Sequence, residues 1–311
     1  MRPLTAPEIR GNWATLLLPI NADDSIDYDL LAAEIDHFVA AKVSGIYSNG
    51  SAGEFYTQTE AEFDQVNALL AQKCGRAGVP FQIGACHMSP QLSRERVRRA
   101  RSLAPGAMQI VLPDWFPPSW PEIIAFVETM AAEAAPVPLI LYNPPHAKRK
   151  LTPDEWLTLI TQCPAIVGLK VPGGDDAWYR AMQPVMARAS VFIPGHLLAS
   201  GLARGAHGAY SNVACLSPAG AQRWAEECAA NGAAGLRTEE RIRGFWEANI
   251  APLITRHGLP NMAADKAAAV AGGWLPGLNA RLRWPYRGAT PEMIAGIARA
   301  ARIALPEWFA A

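Results

Sequence analysis

The chain has 311 residues, half of them hydrophobic, so it can bury a large core in one big domain or in two modest ones. Lysine plus arginine and aspartate plus glutamate both number 28, a balance that points to neither a nucleic-acid partner nor an acidic membrane surface. The five cysteines are scattered, which argues against a disulfide framework or a structural zinc site. No apolar stretch approaches the roughly 18 residues that cross a bilayer, so we expect a soluble, cytoplasmic protein without a membrane partner.

Short β-rich segments alternate with longer amphipathic segments along most of the chain. This alternation is typical of βα units around a parallel sheet. The predicted strands are 13–18, 45–48, 81–84, 108–112, 139–142, 166–170, 191–194 and 208–211. Because eight such strands close a barrel, the sequence predicts an α/β fold, a (β/α)8 TIM barrel.

Several predicted helices have recognisable first turns. Thr57 with Glu60, and Ser119 with Glu122, have the spacing of a capping box. A cap residue followed by proline predicts three more helix starts, after Thr152, Ser217 and Thr290.

Beyond about residue 217 we predict only helices. We therefore expect residues 1–232 to form the barrel with its catalytic site, and residues 233–311 to form a C-terminal helical extension packed on it.

A lysine ends the sixth predicted strand. The segment 165–169 is apolar, Lys170 follows it, and Pro172 stops the strand. Because burial favours the neutral amine, and a neutral amine can attack a carbonyl carbon, Lys170 is a candidate for Schiff-base formation. Its alternative is a lysine whose stem packs at the strand end while its head reaches water. Catalytic groups of such barrels lie at the carboxyl ends of the strands, where Lys170 is predicted.

Two further features lie at neighbouring strand ends. Tyr142 ends the fifth predicted strand, and a phenol can move the protons that carbinolamine formation requires, although it can also simply pack at the rim. The segment 50–54 follows the second strand, and its glycines allow backbone N–H groups to point at an anion, although such a segment is often only a tight turn. Together with Lys170 these features fit a 2-oxo acid, whose carbonyl would meet the amine while its carboxylate lies at the loop.

Three motifs carry a resemblance to a known family. Gly50-Ser51-Ala52-Gly53-Glu54, Tyr142-Asn143-Pro144 and Gly168-Leu169-Lys170, in this order along eight βα units with a helical tail, resemble the dihydrodipicolinate synthase and N-acetylneuraminate lyase family. The resemblance implies that Lys170 forms the Schiff base, that Tyr142 shuttles protons, and that Ser51 and the backbone of Ala52 hold the carboxylate. It also implies pyruvate or another 2-oxo acid as substrate, no cofactor, no metal, and a homotetramer.

Three differences separate the chain from the synthase branch of that family. Trp115 stands where that branch has a tyrosine that reaches into a neighbouring subunit's site. Ala147 stands where it has an arginine that grips a second carboxylate, and Ala52 replaces a frequent hydroxyl residue. These differences argue against lysine biosynthesis. Sialic acid cleavage stays open.

Additional residues are candidates for substrate binding at the mouth of the predicted barrel. His196 follows the seventh strand and can act as an acid, a base or a hydroxyl ligand, or can be a hydrogen-bonded rim residue; His146 has a similar standing. Trp115 can stack on a substrate or anchor its own loop, and Tyr210 lies in the eighth strand. The histidines do not group with carboxylates as in a metal-dependent aldolase.

The sequence predicts an enzyme, a class I lyase or aldolase that acts on a 2-oxo acid through a lysine imine. A dehydratase that acts on a 2-keto-3-deoxy sugar acid through the same imine is the first alternative. The second is a non-catalytic member of the family that binds a 2-oxo acid or a sugar acid.

Overall fold

The computed structural model describes residues 1–310 and contains a closed barrel of parallel strands in the order β1 to β8, as predicted. The strands are β1 Gly11–Thr15, β2 Gly45–Tyr47, β3 Phe81–Gly84, β4 Ala107–Val111, β5 Leu139–Tyr142, β6 Ile166–Lys170, β7 Ser190–Pro194 and β8 Gly208–Tyr210. β1 pairs with β8 and closes the ring.

Helices connect the strands and continue beyond them. Those of the barrel are α1 Tyr28–Ala40, α2 Glu60–Ala77, α3 Pro90–Arg101, α4 Trp120–Ala134, α5 Pro153–Gln162, α6 Asp176–Met186, α7 Leu198–Ala203, α8 Val213–Leu216 and α9 Pro218–Ala230. The C-terminal ones are α10 Gly232–Phe245, α11 Ala251–Thr255, α12 Asn261–Gly272 and α13 Pro291–Ala304. Within residues 1–310, no helix combines the length and the apolar character that crossing a bilayer requires.

The predicted bounds of the first strand were wrong. β1 ends at Thr15, although the apolar segment continues through Leu18. The ladder stops because the Leu17 N–H donates to the buried carboxylate of Glu34, 2.8 Å away, instead of to a neighbouring strand. Apolar character marked burial here, and it did not distinguish a strand from the buried loop that follows it.

The first turn of α2 was also predicted two residues too early. Its N-cap is Thr59, whose side chain and backbone form a capping box with Glu62. Thr57 belongs to the preceding turn, where its N–H donates to the Glu54 carbonyl at 2.9 Å. The box predicted at Ser119 is present, as are the proline-containing first turns predicted after Thr152, Ser217 and Thr290.

Helix α12 brings the C-terminal part of the chain to the barrel. Lys266 of α12 is fully buried, and its Nζ donates to Glu54 Oε1 at 2.6 Å and to the carbonyls of Leu18 and Arg281, each at 2.7 Å. Leu18 follows β1 and Glu54 follows β2, so these bonds attach α12 to the carboxyl ends of two adjacent strands.

Candidate active site

Lys170 and Tyr142 lie side by side at the carboxyl ends of β6 and β5, where they are register partners. The Lys170 Nζ is 4.3 Å from the centroid of the Tyr142 ring. Two more phenols surround the same nitrogen, with ring centroids at 4.8 Å for Tyr47 and 5.2 Å for Tyr210. Nζ also donates a long hydrogen bond to the Tyr47 oxygen at 3.4 Å. The amine therefore lies in a cage of three aromatic rings.

This environment makes the amine of Lys170 more nucleophilic. Burial lowers its pKa to about 8, and the nearby Cys86 and the Asp265 carboxyl act weakly in the opposite direction. A larger fraction of the amine is therefore neutral at physiological pH than in an exposed lysine, and the neutral form is the nucleophile.

Tyr142 keeps its proton in this environment. It is 9 % exposed, and burial raises its pKa to about 12, against a smaller opposite effect of its hydrogen bond with Ser51. The two hydroxyl oxygens are 3.4 Å apart. The pair can therefore relay a proton between the neighbourhood of Lys170 and the loop after β2.

The loop 50–54 approaches the lysine closely because residue 50 has no side chain. A Cβ at Gly50 would lie 2.8 Å from the Tyr47 ring and 3.5 Å from Lys170 Nζ. Glu54, at the end of the loop, has φ of +50°, and its N–H donates to the Ser51 carbonyl at 3.1 Å. The loop is thus a tight turn, but its positive φ angles lie at Asn49 and Glu54 and not at Gly50 or Gly53.

A cavity of about 290 Å³ opens above these residues. It is lined by Thr15, Tyr47, Ser51, Ala52, Tyr142, Pro145, His146, Lys170, Val171, Pro172, Ile193, Pro194, His196, Tyr210, Asn212, Asn261 and Asp265. Among these lining residues, Lys170 is the one lysine or arginine and Asp265 the one carboxyl group. Within residues 1–310, no three His, Cys, Asp or Glu side chains form a group that could hold a metal ion.

His196 lines the cavity and is fixed by its neighbours. Its backbone N–H donates to Asn212 Oδ1 at 3.2 Å, so the amide nitrogen of Asn212 donates to His196 Nδ1 at 2.9 Å and the neutral ring carries its proton on Nε2. The ring stacks on Trp246 with 6° between the planes. Because burial lowers the pKa of His196, the ring is a neutral hydrogen-bond donor. His196 is thus a hydrogen-bonded residue of the barrel rim that also lines the cavity.

The Dihydrodipicolinate synthetase family matches residues 8–243 of the chain. The chain belongs to this family. Its relatives include the N-acetylneuraminate lyase of Citrobacter koseri, 28% identical over 208 residues that cover 65% of this chain and 68% of the relative. The N-acetylneuraminate lyase of Rhizobium meliloti is 27% identical over 207 residues, which cover 65% and 67% of the two chains. The family makes this chain an enzyme, a class I lyase of the Schiff-base type.

Solved structures of the family share the fold over almost the full length. A prophage protein of the dihydrodipicolinic acid synthase family from E. coli K12, in complex with pyruvate, superposes with a TM-score of 0.83 at 21% identity and covers 95% of this chain and 98% of its own. A sialic acid aldolase of Ruminococcus gnavus, a catalytic lysine mutant, has a TM-score of 0.84 at 19% identity, with 99% and 100% covered.

Two predicted substrate-binding residues have other contacts in this family member. Tyr210 lines the cavity with its ring, but its hydroxyl is 2.6 Å from Gln82 Oε1 inside the barrel, so the hydroxyl is already paired. Trp115 is 75% exposed and is not among the residues that line the cavity of its own chain. The centroid of its ring lies 5.3 Å from the Nζ of Lys148, in a neighbouring loop. Trp115 therefore packs on a loop and not on the cavity.

The structure adds two residues that the sequence did not indicate. Tyr47 is 3% exposed and its hydroxyl oxygen accepts a hydrogen bond from Lys170 Nζ, but it ends a strand of only three residues without any distinguishing neighbour. Asp265 reaches the cavity from α12, 7% exposed. The one available signal was the pair Asp265-Lys266 in an otherwise alanine-rich helix.

Proposed function

We propose that this protein breaks or forms a carbon–carbon bond of a 2-oxo acid through an imine on Lys170. The observation that carries the proposal is the lowered pKa of an amine that lies 4.3 Å from the ring of a neutral phenol, Tyr142, at the base of a closed barrel's cavity. Pyruvate, or a 2-oxo acid that releases it, is the proposed substrate. The solved E. coli relative in complex with pyruvate is consistent with this choice.

The proposed reaction begins with attack of neutral Nζ on the carbonyl carbon. The carbinolamine loses water when the departing oxygen receives a proton, which Tyr142 supplies and then recovers from the solvent side through Ser51. The protonated imine at C2 accepts electrons from the C3–C4 bond. This bond can therefore break in an aldol cleavage, or form in the reverse reaction. Ser51 and the Ala52 N–H are the proposed ligands of the carboxylate, because backbone amides and hydroxyls stabilise an anion there.

The polar groups near the cavity oppose a second carboxylate on the substrate. Lys170 is the one lysine or arginine among the residues that line the cavity. A smaller adjoining cavity of about 60 Å³ is lined by Asp114 and Ala147, so it offers a negative charge and no arginine clamp. These facts support an uncharged, hydroxylated partner over the dicarboxylic intermediates of lysine biosynthesis.

Dehydration of a 2-keto-3-deoxy sugar acid through the same imine is the second candidate. The observation in its favour is the Asp265 carboxyl, whose pKa is raised by burial to about 7, so that its protonated form could give a proton to a leaving hydroxyl. Product analysis separates the two candidates, because cleavage releases pyruvate and an aldehyde while dehydration retains the carbon chain.

The test of the proposed function is reductive trapping. The protein is incubated with pyruvate and borohydride, weighed, and digested to locate the modified residue. We expect one adduct per chain at Lys170, and none in the Lys170→Ala variant. A wild-type chain of unchanged mass would overturn the proposed imine between Lys170 and pyruvate.

A panel of hydroxylated 2-oxo acids that includes N-acetylneuraminate, assayed for pyruvate release, then identifies the substrate.

Assembly as a homotetramer and a cytoplasmic location remain proposals. The first rests on the family resemblance, and the second on five buried cysteines that are all unpaired.

A further inference from the structure

The tail helix α12 presents a carboxyl group to the cavity. Asp265 is 7% exposed, and its Oδ2 accepts a hydrogen bond from Asn261 Nδ2, one helical turn earlier, at 3.2 Å. Within residues 1–310, no lysine, arginine or histidine forms an ion pair with it. The adjacent Lys266 does not neutralise the charge of Asp265, because the three Nζ donors of Lys266 are used by Glu54 Oε1 and two carbonyls.

An unpaired buried carboxyl group destabilises a fold and is therefore typical of functional sites. Burial raises the pKa of Asp265 to about 7, and the charge of Lys170 opposes this shift only in part. The carboxyl group is thus ionised over part of the physiological range. Tyr142, with a pKa raised to about 12, is almost entirely protonated in that range and so is less available as a proton acceptor.

Tyr142 and Asp265 reach the cavity from different elements of the fold. Tyr142 lies against Lys170 Nζ, where the carbonyl carbon of a substrate would be attached. Asp265 enters the same cavity from α12, where its partner is Asn261. The lining also includes His196 and Asn212, hydrogen-bonding groups suited to hydroxyls.

We propose that Asp265 is a catalytic residue of this enzyme, which accepts the proton of the substrate hydroxyl at C4 when the C3–C4 bond of a 4-hydroxy-2-oxo acid breaks. This inference rests on the proposed function. In the protonated imine on Lys170, the O–H electron pair forms the C4 carbonyl, and the C3–C4 pair becomes the C2–C3 double bond. The C2–N pair returns to nitrogen. The proton on Asp265 passes to solvent, C3 takes a solvent proton, and water hydrolyses the imine and restores Lys170.

Pyruvate offers a reaction that needs the imine but has no C4 hydroxyl. Exchange of its methyl protons in deuterium oxide requires imine and enamine formation only. In Asp265→Asn, which keeps the shape of the side chain, we expect cleavage of the best panel substrate to fall by about 10²–10⁴-fold, the usual contribution of a general base. Methyl exchange of pyruvate should fall by less than about 10-fold, a small part of that contribution. The control Asp29→Asn, an exposed carboxyl of α1, should retain both rates.

The two proposals fail in different ways. A wild-type protein that neither exchanges pyruvate nor is trapped by borohydride would overturn the proposed function itself. If wild type exchanges pyruvate but Asp265→Asn cleaves normally, or loses exchange and cleavage to the same extent, the role of Asp265 is wrong.

The pH profile of the wild type provides a second readout that needs no variant. Titratable groups that act electrostatically with Asp265 come from several elements: Lys170 of β6, Tyr47 of β2, Tyr142 of β5, Cys215 of α8 and Tyr56 of the loop after β2. Burial raises the pKa of the three phenols and the thiol, so these groups stay neutral near pH 7.

Both Lys170 and Asp265 must lose a proton before they act. The logarithm of kcat/KM for cleavage should therefore fall with a slope of about 2 below pH 7, and with a slope of about 1 in Asp265→Asn. His146 and His196 also line the cavity, so His146→Gln and His196→Gln should keep the slope of about 2. A wild-type slope of about 1 would contradict the inference.

Discussion

Lys266 Nζ lies 2.6 Å from Glu54 Oε1, and both side chains are fully buried. Glu54 ends the loop that carries Ser51 and Ala52. Lys266 follows Asp265 directly in the tail helix α12. This ion pair therefore holds two parts of the proposed site in one place, although 212 residues separate the two partners in the sequence.

Removing the lysine should destabilise the protein strongly. Lys266→Met leaves Glu54 as a buried carboxylate without a cation, and such a change costs about 3–5 kcal/mol of the free energy of unfolding. Denaturant unfolding measures it. The control is Lys73→Met, which removes an exposed pair with Asp36 and should cost several times less. Equal effects of the two substitutions would show that the buried pair has no special role.

Imine formation should depend on pH in a defined direction. Burial lowers the pKa of Lys170 to about 8, and only the neutral amine attacks the carbonyl. The rate of trapping with pyruvate should therefore rise with pH, with its midpoint near 8, and then level off. A midpoint near the ordinary value of an exposed lysine, 10.5, would mean that the amine is not desolvated in solution.

Replacing Tyr142 should slow imine formation on Lys170. Tyr142→Phe keeps the ring beside Lys170 but removes the proton donor, so we expect the trapping rate with pyruvate to fall by about 10²–10⁴-fold. The matched control is Tyr179→Phe, a buried tyrosine of α6 that does not line the cavity. Stopped-flow trapping compares the two variants, and a loss in the control as large as in Tyr142→Phe would point to a general packing effect.

Tyr47 should affect the pKa of Lys170 and not the proton relay. Its oxygen accepts a hydrogen bond from Lys170 Nζ, which stabilises the charged amine. Tyr47→Phe should move the midpoint of the trapping profile to lower pH by less than about 1 unit, because one long hydrogen bond contributes about 1 kcal/mol. A shift of the midpoint to higher pH would be inconsistent with this contact.

Several features of the molecule followed from local sequence patterns. The alternation of strands and helices predicted the closed barrel, and three of the strands, β3, β5 and β6, have the predicted bounds. Lys170 and Tyr142 could be located because carboxyl ends of adjacent parallel strands meet at one face of a barrel. The close approach of the loop 50–54 could be predicted because a glycine has no side chain to prevent it, as at Gly50.

Other features depended on contacts that the local sequence does not encode. Arg96 of the arginine-rich helix α3 is fully buried, and its guanidinium donates to the Cys86 carbonyl at 2.7 Å and pairs with Glu60. Apolar and charged patterns describe one helix at a time, so they could not reveal that the carbonyls of Phe55 and Cys86, in the loops after β2 and β3, would accept hydrogen bonds from this side chain.

The sequence by itself determined the barrel, the strand-end lysine and its neighbouring phenol, since these depend on residue spacing within one or two βα units. Only the tertiary structure decided that Tyr47 contacts the amine and that Asp265 enters the cavity. The physical reason is distance along the chain: α12 reaches the strand ends through the buried pair of Lys266 and Glu54, two residues 212 positions apart that no local pattern connects.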